Sequence, residues 1–412
     1  MTFLRLAFRN VLRNRRRSLV TVLAVAIGYM AVGVFDGYMQ DAYHRIQVGA
    51  VFLEAPGHVV VFKKGFLQEG KLDPSHYMFS AKDLKTIRKV IEDLPGVVWV
   101  APKLALSGLI TDGDRSTVFI ADAMEPSDVR KLWENFPFKS SVYAPKMIPE
   151  DVPFAALLAP QLADLLQLRL NSDAVLMSTT QFGQMNAVDI QVAGFMPPIA
   201  EGLDDKYVKI SLSLGRSLYD FDGADRLCVL LENVKLTDDT ARYIEKNLAM
   251  IGYDVDAHTW NELSAFYEKV TGYLNTVFTF IFCIVSIIVV TGTFNTMSMV
   301  VYERTREIGT LRSMGMKARM VIVLFSVEGA ILGFFGSLVG LLLTFTTYFA
   351  LLWADLSYTP PGVADKVTIQ INLAPETLVW IYLLFVGLSI LSALIPARRA
   401  AGQNIVDALG HV

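Results

Sequence analysis

The sequence predicts an α+β membrane protein: four transmembrane helices, with a large extracytoplasmic α+β domain between the first and second. Three observations lead there. Hydrophobic residues make up 53% of the 412 residues and charged residues only 19%, with a mean hydropathy of +0.42. Soluble domains run nearer about 45–50% apolar and about 25% charged. Four stretches are long and apolar enough for the roughly 20-residue helix that crosses a bilayer. Between the first two, residues 41–272 alternate strand-like and helix-like patterns.

The chain opens on "MTFLRLAFRNVLRNRRRS". Phe3, Leu4, Ala7, Phe8, Val11 and Leu12 fall on one helical stripe, with Arg5, Arg9 and Arg13 elsewhere. Residues 1–17 therefore read as an amphipathic helix in the cytoplasmic interface. Residues 18–40 follow as a retained first span, because no small-residue cleavage site follows the apolar run. The helix is expected to continue through "DGYMQDAYHRIQ".

The extracytoplasmic domain, residues 41–272, is expected to hold two β-α-β units, at 57–110 and 226–260. A split, ferredoxin-like core (about 41–124 and 226–272) is the economical assembly. Ser80 caps the helix of the first unit, and Pro95-Gly96 stops it. Residues of about 125–225 form an insertion, with a helix near 154–168 and a strand pair within 173–195. "HTWNELSAFYEKVTGYLNTVF" then leads with no breaker into the second span.

Residues 273–301 form the second span, 302–319 a charged connection, 320–353 the third span, 354–377 an outer loop, 378–397 the fourth span and 398–412 a tail. Positive residues mark the cytoplasmic side. The N-terminal segment, the 302–319 connection and the tail are all basic, and a four-span topology places all three together. The net charge of −3 gives no sign of nucleic-acid binding.

Enzyme chemistry finds little support. Five histidines lie without metal-ligand spacing, so no metal site is expected. "GFLQEGKL" (65–72) approaches a phosphate loop, but Leu72 stands where a hydroxyl must hold Mg²⁺, and a polar turn is the better reading. Cys228 and Cys283 lie in different surroundings, which argues against a disulfide between them. Glu328, in the third span, is a functional candidate by position; a buried polar clamp between helices is the favoured role. Gly329, Gly333, Gly336 and Gly340 form a small-residue face for close helix contact.

The connection "VYERTREIGTLRSMGMK" packs Glu303, Arg304, Arg306, Glu307, Arg312 and Lys317 between two apolar spans. Ile308, Leu311 and Met314 form an apolar stripe. Arg304 with Glu307, and Glu303 with Arg306, can pair at i, i+3. Gly309 costs roughly 1 kcal/mol inside a helix unless a partner approaches closely, and Gly315 can end the helix. The residues alone leave a membrane-parallel helix and a solvated charged loop equally open.

"ERTREIGTLRSMGMKARMVIVLFSVEGAILGFFGSLVGLLL" (303–343), "IPARRAAGQNIVDAL" (395–409) and "LRLAFRNVLRNRRRSLVTVLAVAIG" (4–28) closely resemble FtsX-like, or MacB-type, ABC transporter permeases. The order of spans matches as well. Among the branches, "GAVFLEAPGHVVVFKKGF" (49–66) resembles the LolC/LolE lipoprotein-releasing permeases. The resemblance implies a non-catalytic subunit of the bacterial inner membrane with cytoplasmic termini and a periplasmic domain. It would work with a second permease, identical or paralogous, and two copies of a cytoplasmic ABC ATPase on another chain. ATP and Mg belong to that ATPase; no cofactor is expected on this chain.

By the same resemblance, Glu303, Arg304, Arg306, Glu307, Ile308, Gly309, Leu311, Arg312, Met314 and Gly315 form an ATPase-coupling helix. Met30, Val34 and Tyr38 of the first span and Tyr273, Val277 and Phe280 of the second would line a lateral gate. Lipoprotein or other hydrophobic cargo would pass there, surrounded by membrane lipids, on its way to a periplasmic carrier. A mechanotransmitting subunit that activates a periplasmic partner such as a cell-wall hydrolase, without cargo, is the alternative.

Overall fold

The computed structural model describes residues 2–54, 56–70, 73–137, 147–149, 152, 154–196, 203–358, 367–405 and 408. The chain divides into two compact units. One is helical, built from residues 1–44, 270–358 and 366–412; the other is α/β, built from 45–269 and 359–365.

The helical unit begins with α1 (Thr2–Arg13) and α2 (Arg15–Gly49). The expected 1–17 helix is thus two helices meeting at Asn14, and the first span runs well past residue 40, into a π-helical turn at Ala50–Glu54. After the α/β unit come α9 (Ala265–Glu303), α10 (Thr305–Ser313), α11 (Ala318–Ala354) and α12 (Pro375–Gly402). By length and composition α2, α9, α11 and α12 can each cross a membrane. α12 continues beyond the expected end at 397 and carries Pro396 inside it.

Glycines let these helices approach. A Cβ added at Gly329 would lie 2.6 Å from the Ala393 Cβ, and one at Gly333 2.7 Å from the Ser389 Cβ, both on α12. The same atom at Gly336 or Gly340 would lie 2.6 Å from the Cβ of Val25 or Tyr29 on α2. The predicted small-residue face therefore serves two partners in turn. Small side chains gain contact area where lipid supplies no hydrophobic drive.

The α/β unit is built on the strand order β9-β1-β8-β2: β1 (Val59–Lys63), β2 (Val97–Thr111), β8 (Arg226–Leu231) and β9 (Val255–Thr259), each antiparallel to its neighbours. Helices α3 (Ala81–Glu92) and α7 (Thr237–Met250) connect β1 to β2 and β8 to β9. This is the split β-α-β, ferredoxin-like arrangement the sequence predicts. A capping box between Ser80 and Asp83 starts α3. Strand alternation sends Val59 and Val61 toward α3 and α7, and Val60 and Phe62 to the opposite face. On that face they meet α4 (Pro126–Glu134) and the residues that follow α2.

The 125–225 region is not a separate insertion. β2 runs for 15 residues, and its second half pairs with β3 (Ser116–Ala123). The order continues through β7 (Tyr207–Ile210), β4 (Ala155–Leu158), β6 (Met185–Phe195) and β5 (Asp173–Thr179). β5 then pairs back to β2 at Leu109–Thr111, closing a ring of six strands around its own core. Closure leaves that ring no exposed strand edge. α6 (Leu212–Tyr219) contributes Leu212, Leu214 and Leu218 to the same core.

Two further expectations are corrected. Residues 154–168 are not one helix: Ala155–Leu158 form β4, and only Pro160–Leu165 form a helix, α5. All four β4 side chains are buried, so the stretch carries no period to identify it as strand. The approach to the second span is also interrupted. α8 (Trp260–Leu263) ends at Ser264, whose hydroxyl accepts from the Tyr267 N–H to start α9.

Candidate functional site

Among the described residues of the helical unit, a buried polar cluster surrounds Arg304, in the joint between α9 and α10. Arg304 and Glu328 are both buried, at 6% and 2% exposure. An Arg304 guanidinium nitrogen donates to Glu328 Oε1 at 2.9 Å, and its Nε donates to Glu307 Oε2 at 2.9 Å. The Asn10 amide donates to the same Glu328 oxygen at 2.7 Å. Arg13 pairs with Glu307 at 2.9 Å, and Arg17 with Glu303. Glu328 thus joins α1, α10 and α11 through one carboxylate oxygen. This is the clamp the sequence favoured, with partners it did not reveal.

Partial burial pushes the Glu307 carboxyl up, but hydrogen bonds from Arg304 and Arg13 outweigh it and hold its pKa below the usual carboxylate value. The carboxylate stays charged and keeps both arginines near α10.

The other coupling residues divide by face. Ile308 and Gly309 are buried; Leu311 is half-buried. Met314 is 72% exposed, so the expected apolar stripe turns inward only at Ile308. Arg306 is exposed, and Glu303 bonds Arg17 rather than Arg306 as expected. Arg312 donates to the Gln403 carbonyl beyond α12. Gly315, at φ +98°, turns the chain out of α10 as expected. Arg306, Thr310 and Met314 stay exposed along α10 and its C-cap, on the side that also carries the exposed Glu307, while Ile308 and Gly309 turn inward.

The proposed gate residues do not converge within one chain. Met30, Val34 and Tyr38 line an apolar groove of about 470 Å³, facing Thr347 and Leu351 of α11 and Ile369 and Ile371 before α12. Tyr273 and Phe280 are 68% and 67% exposed on α9, and Val277 is half-buried. None of the three lines that groove. A second groove, of about 570 Å³, lies where Val32 and Asp36 of α2 face Phe278 and Phe282 of α9 and Trp380 of α12. In its most apolar window α9 is the least covered of the four long helices, 11% buried against 33–50% for the others.

Among the described residues no cluster of metal-ligating side chains occurs. Gly65, at φ +81°, caps a short helix at Phe66–Glu69, which places the near-phosphate loop in a turn; Lys71 and Leu72 lie outside the described residues.

Residues 279–405 match the family described as the FtsX-like permease C-terminal domain. The matched FtsX-like region takes in Arg304, α10, Glu328 and the four glycines of α11, but not α1 or α2. An "ABC transporter permease YtrF" of Bacillus subtilis is 32% identical over 134 residues, covering 32% of this chain and 31% of that protein. The match therefore spans less than a third of that relative. An uncharacterized ABC transporter permease of Methanocaldococcus jannaschii is 22% identical over 411 residues, covering 98% of this chain and 96% of the relative. The periplasmic region of MacB from Actinobacillus actinomycetemcomitans covers 51% of this chain and 92% of its own at 10% identity, with a TM-score of 0.34, too low to carry an argument about fold.

Proposed function

We propose that this chain is the permease subunit of an FtsX/MacB-type ABC transporter, with ATP hydrolysed by a separate cytoplasmic subunit bound in two copies. A second permease, identical or paralogous, completes the pair. The observation that carries this reading is the two-sided construction of α10. Its inner side buries Ile308 and Gly309, with Arg304 at its start tied to Glu328, and its outer side presents Arg306, Thr310 and Met314. A docking element needs both: a surface for its partner and a rigid tie to the helices it moves.

On this reading the α10 end of the helical unit faces the cytoplasm of a bacterial inner membrane, and the α/β unit works in the periplasm. The groove at Met30, Val34 and Tyr38 suits an acyl chain or another apolar group, which supports lipid-anchored cargo of the LolC/LolE kind. Exposed Tyr273 and Phe280 then meet the partner permease, so that the gate assembles from two chains.

A second reading, force transmission to a periplasmic partner without cargo, is favoured by one feature. Phe182 and Met185, at the β5–β6 turn, are 72% and 64% exposed, a surface for a partner protein.

Arg306→Glu with Met314→Asp should cut stimulation of the co-purified ATPase at least tenfold while the chain still folds. Unchanged assembly and stimulation would remove the coupling role. Photocrosslinkers at Met30 that capture lipoprotein support cargo; capture of a soluble partner at Phe182 alone supports the second reading.

A further inference from the structure

α1 has a second surface that the clamp does not use. Ala7 and Asn10 are buried and face the rest of the helical unit. Leu6, Phe8 and Leu12 are 39%, 44% and 57% exposed, and the exposed Arg5 and Arg9 are interleaved with them. Arg15 and Arg16 extend the basic surface onto α2 and are also exposed. Arg13 and Arg17 are already engaged by Glu307 and Glu303. Phe8 lies 6.2 Å from Phe335, a part-exposed residue of the membrane-crossing helix α11.

Arginines mixed with exposed apolar side chains, one of them beside an exposed phenylalanine on a helix long and apolar enough to cross a membrane, match the boundary between headgroups and acyl chains. A protein partner in water would favour the arginines but gain less from this arrangement of Leu6, Phe8 and Leu12. We infer that α1 and the first turn of α2 form a binding surface for anionic phospholipid headgroups, whose occupancy steadies α10 through Asn10, Glu328 and Arg304.

The apolar side chains insert and Arg5, Arg9, Arg15 and Arg16 meet the phosphates. Each basic residue near an anionic surface contributes about fivefold to such binding. The lipid-binding half stands without the transporter reading. The meaning of a steadied α10 rests on it.

The test is hydrogen exchange on the full chain in nanodiscs, first without any ATPase. Discs of phosphatidylcholine alone are compared with discs holding three parts in ten phosphatidylglycerol. Exchange in α1 should slow on the order of tenfold in the anionic discs, and the slowing should vanish in high salt and in the variant R5Q/R9Q/R15Q/R16Q. α10 should slow as well, and Asn10→Ala should abolish that second effect while leaving the first. Equal exchange in both lipids would overturn the proposal. So would protection of α1 that appears only once the ATPase is added, since the basic surface would then be a protein contact. Loss of ATPase stimulation with lipid protection intact would instead count against the transporter reading alone.

Discussion

The two units each bury an ion pair, and they place its partners in opposite ways. In the α/β unit Lys103 Nζ lies 2.8 Å from Asp122 Oδ2, and the Tyr207 hydroxyl donates to the same oxygen at 2.7 Å. Those residues sit on β2, β3 and β7, neighbouring strands whose register brings them together. In the helical unit Glu328 is reached by Asn10, 318 positions away, and by Arg304 from a separate helix joint. Strand pairing fixes the first cluster; only the packing of α1, α10 and α11 fixes the second. A charge cluster drawn from three separate elements depends on their arrangement, which the proposed docking joint would need.

The largest expected effect separates the two clusters directly. Arg304→Met leaves Glu328 buried without its charged partner, with only the neutral Asn10 amide donating to it, a loss of about 3–5 kcal/mol, read as a large fall in the melting temperature of the purified chain. Adding Glu328→Leu should restore most of it. Lys103→Met should cost less, about 1–3 kcal/mol, because the Asp122 side chain is 17% exposed against 3% for Glu328 and so keeps access to water beside the Tyr207 donor. Equal losses for both arginine and lysine variants would break the distinction between the clusters.

A pH series sharpens it further. His58 is buried on β1's approach, and its Nδ1 accepts the Leu231 N–H. Burial holds its pKa down at about 4. The unfolded chain takes up that proton near pH 6.5, so between about 4 and 6.5 the unfolded state binds more protons and stability rises with pH. The change amounts to about 3 kcal/mol at most. Urea unfolding followed by Trp99 fluorescence should show that slope, and His58→Gln should flatten it.

The smallest effect concerns helix contact. Gly340→Val places side-chain atoms against Tyr29 and should cost about 1–3 kcal/mol. The same change at Gly292, where nothing lies within 4 Å, should leave the melting temperature of the single chain nearly unchanged.

Much of the fold was legible where one local rule decides. The β-branched run in "VVVF", the N-cap at Ser80 and the glycine spacing on α11 each predict an element by themselves. The six-stranded ring was not legible, because "AALL" is buried on both faces and has neither alternation nor the β-branched residues that mark "VVVF" as strand, while Pro160 marks only the helix that follows. The clamp was half legible. A carboxylate in a membrane helix demands a donor, but sequence spacing does not say which arginine supplies it. Asn10 carried a usable signal, a polar residue between Ala7 and Val11 on the covered side of α1. The gate residues were harder still, since Met30 lines a groove within the chain while Tyr273 and Phe280 stay exposed on α9.

The most direct test of α10 as a two-sided docking helix is photocrosslinking to the co-purified ATPase, one position at a time. Arg306, Thr310 and Met314 should capture it. Ile308 and Gly309, buried against the helical unit, should not. Capture at Ile308 and Gly309 with none at Arg306, Thr310 and Met314 would contradict the account.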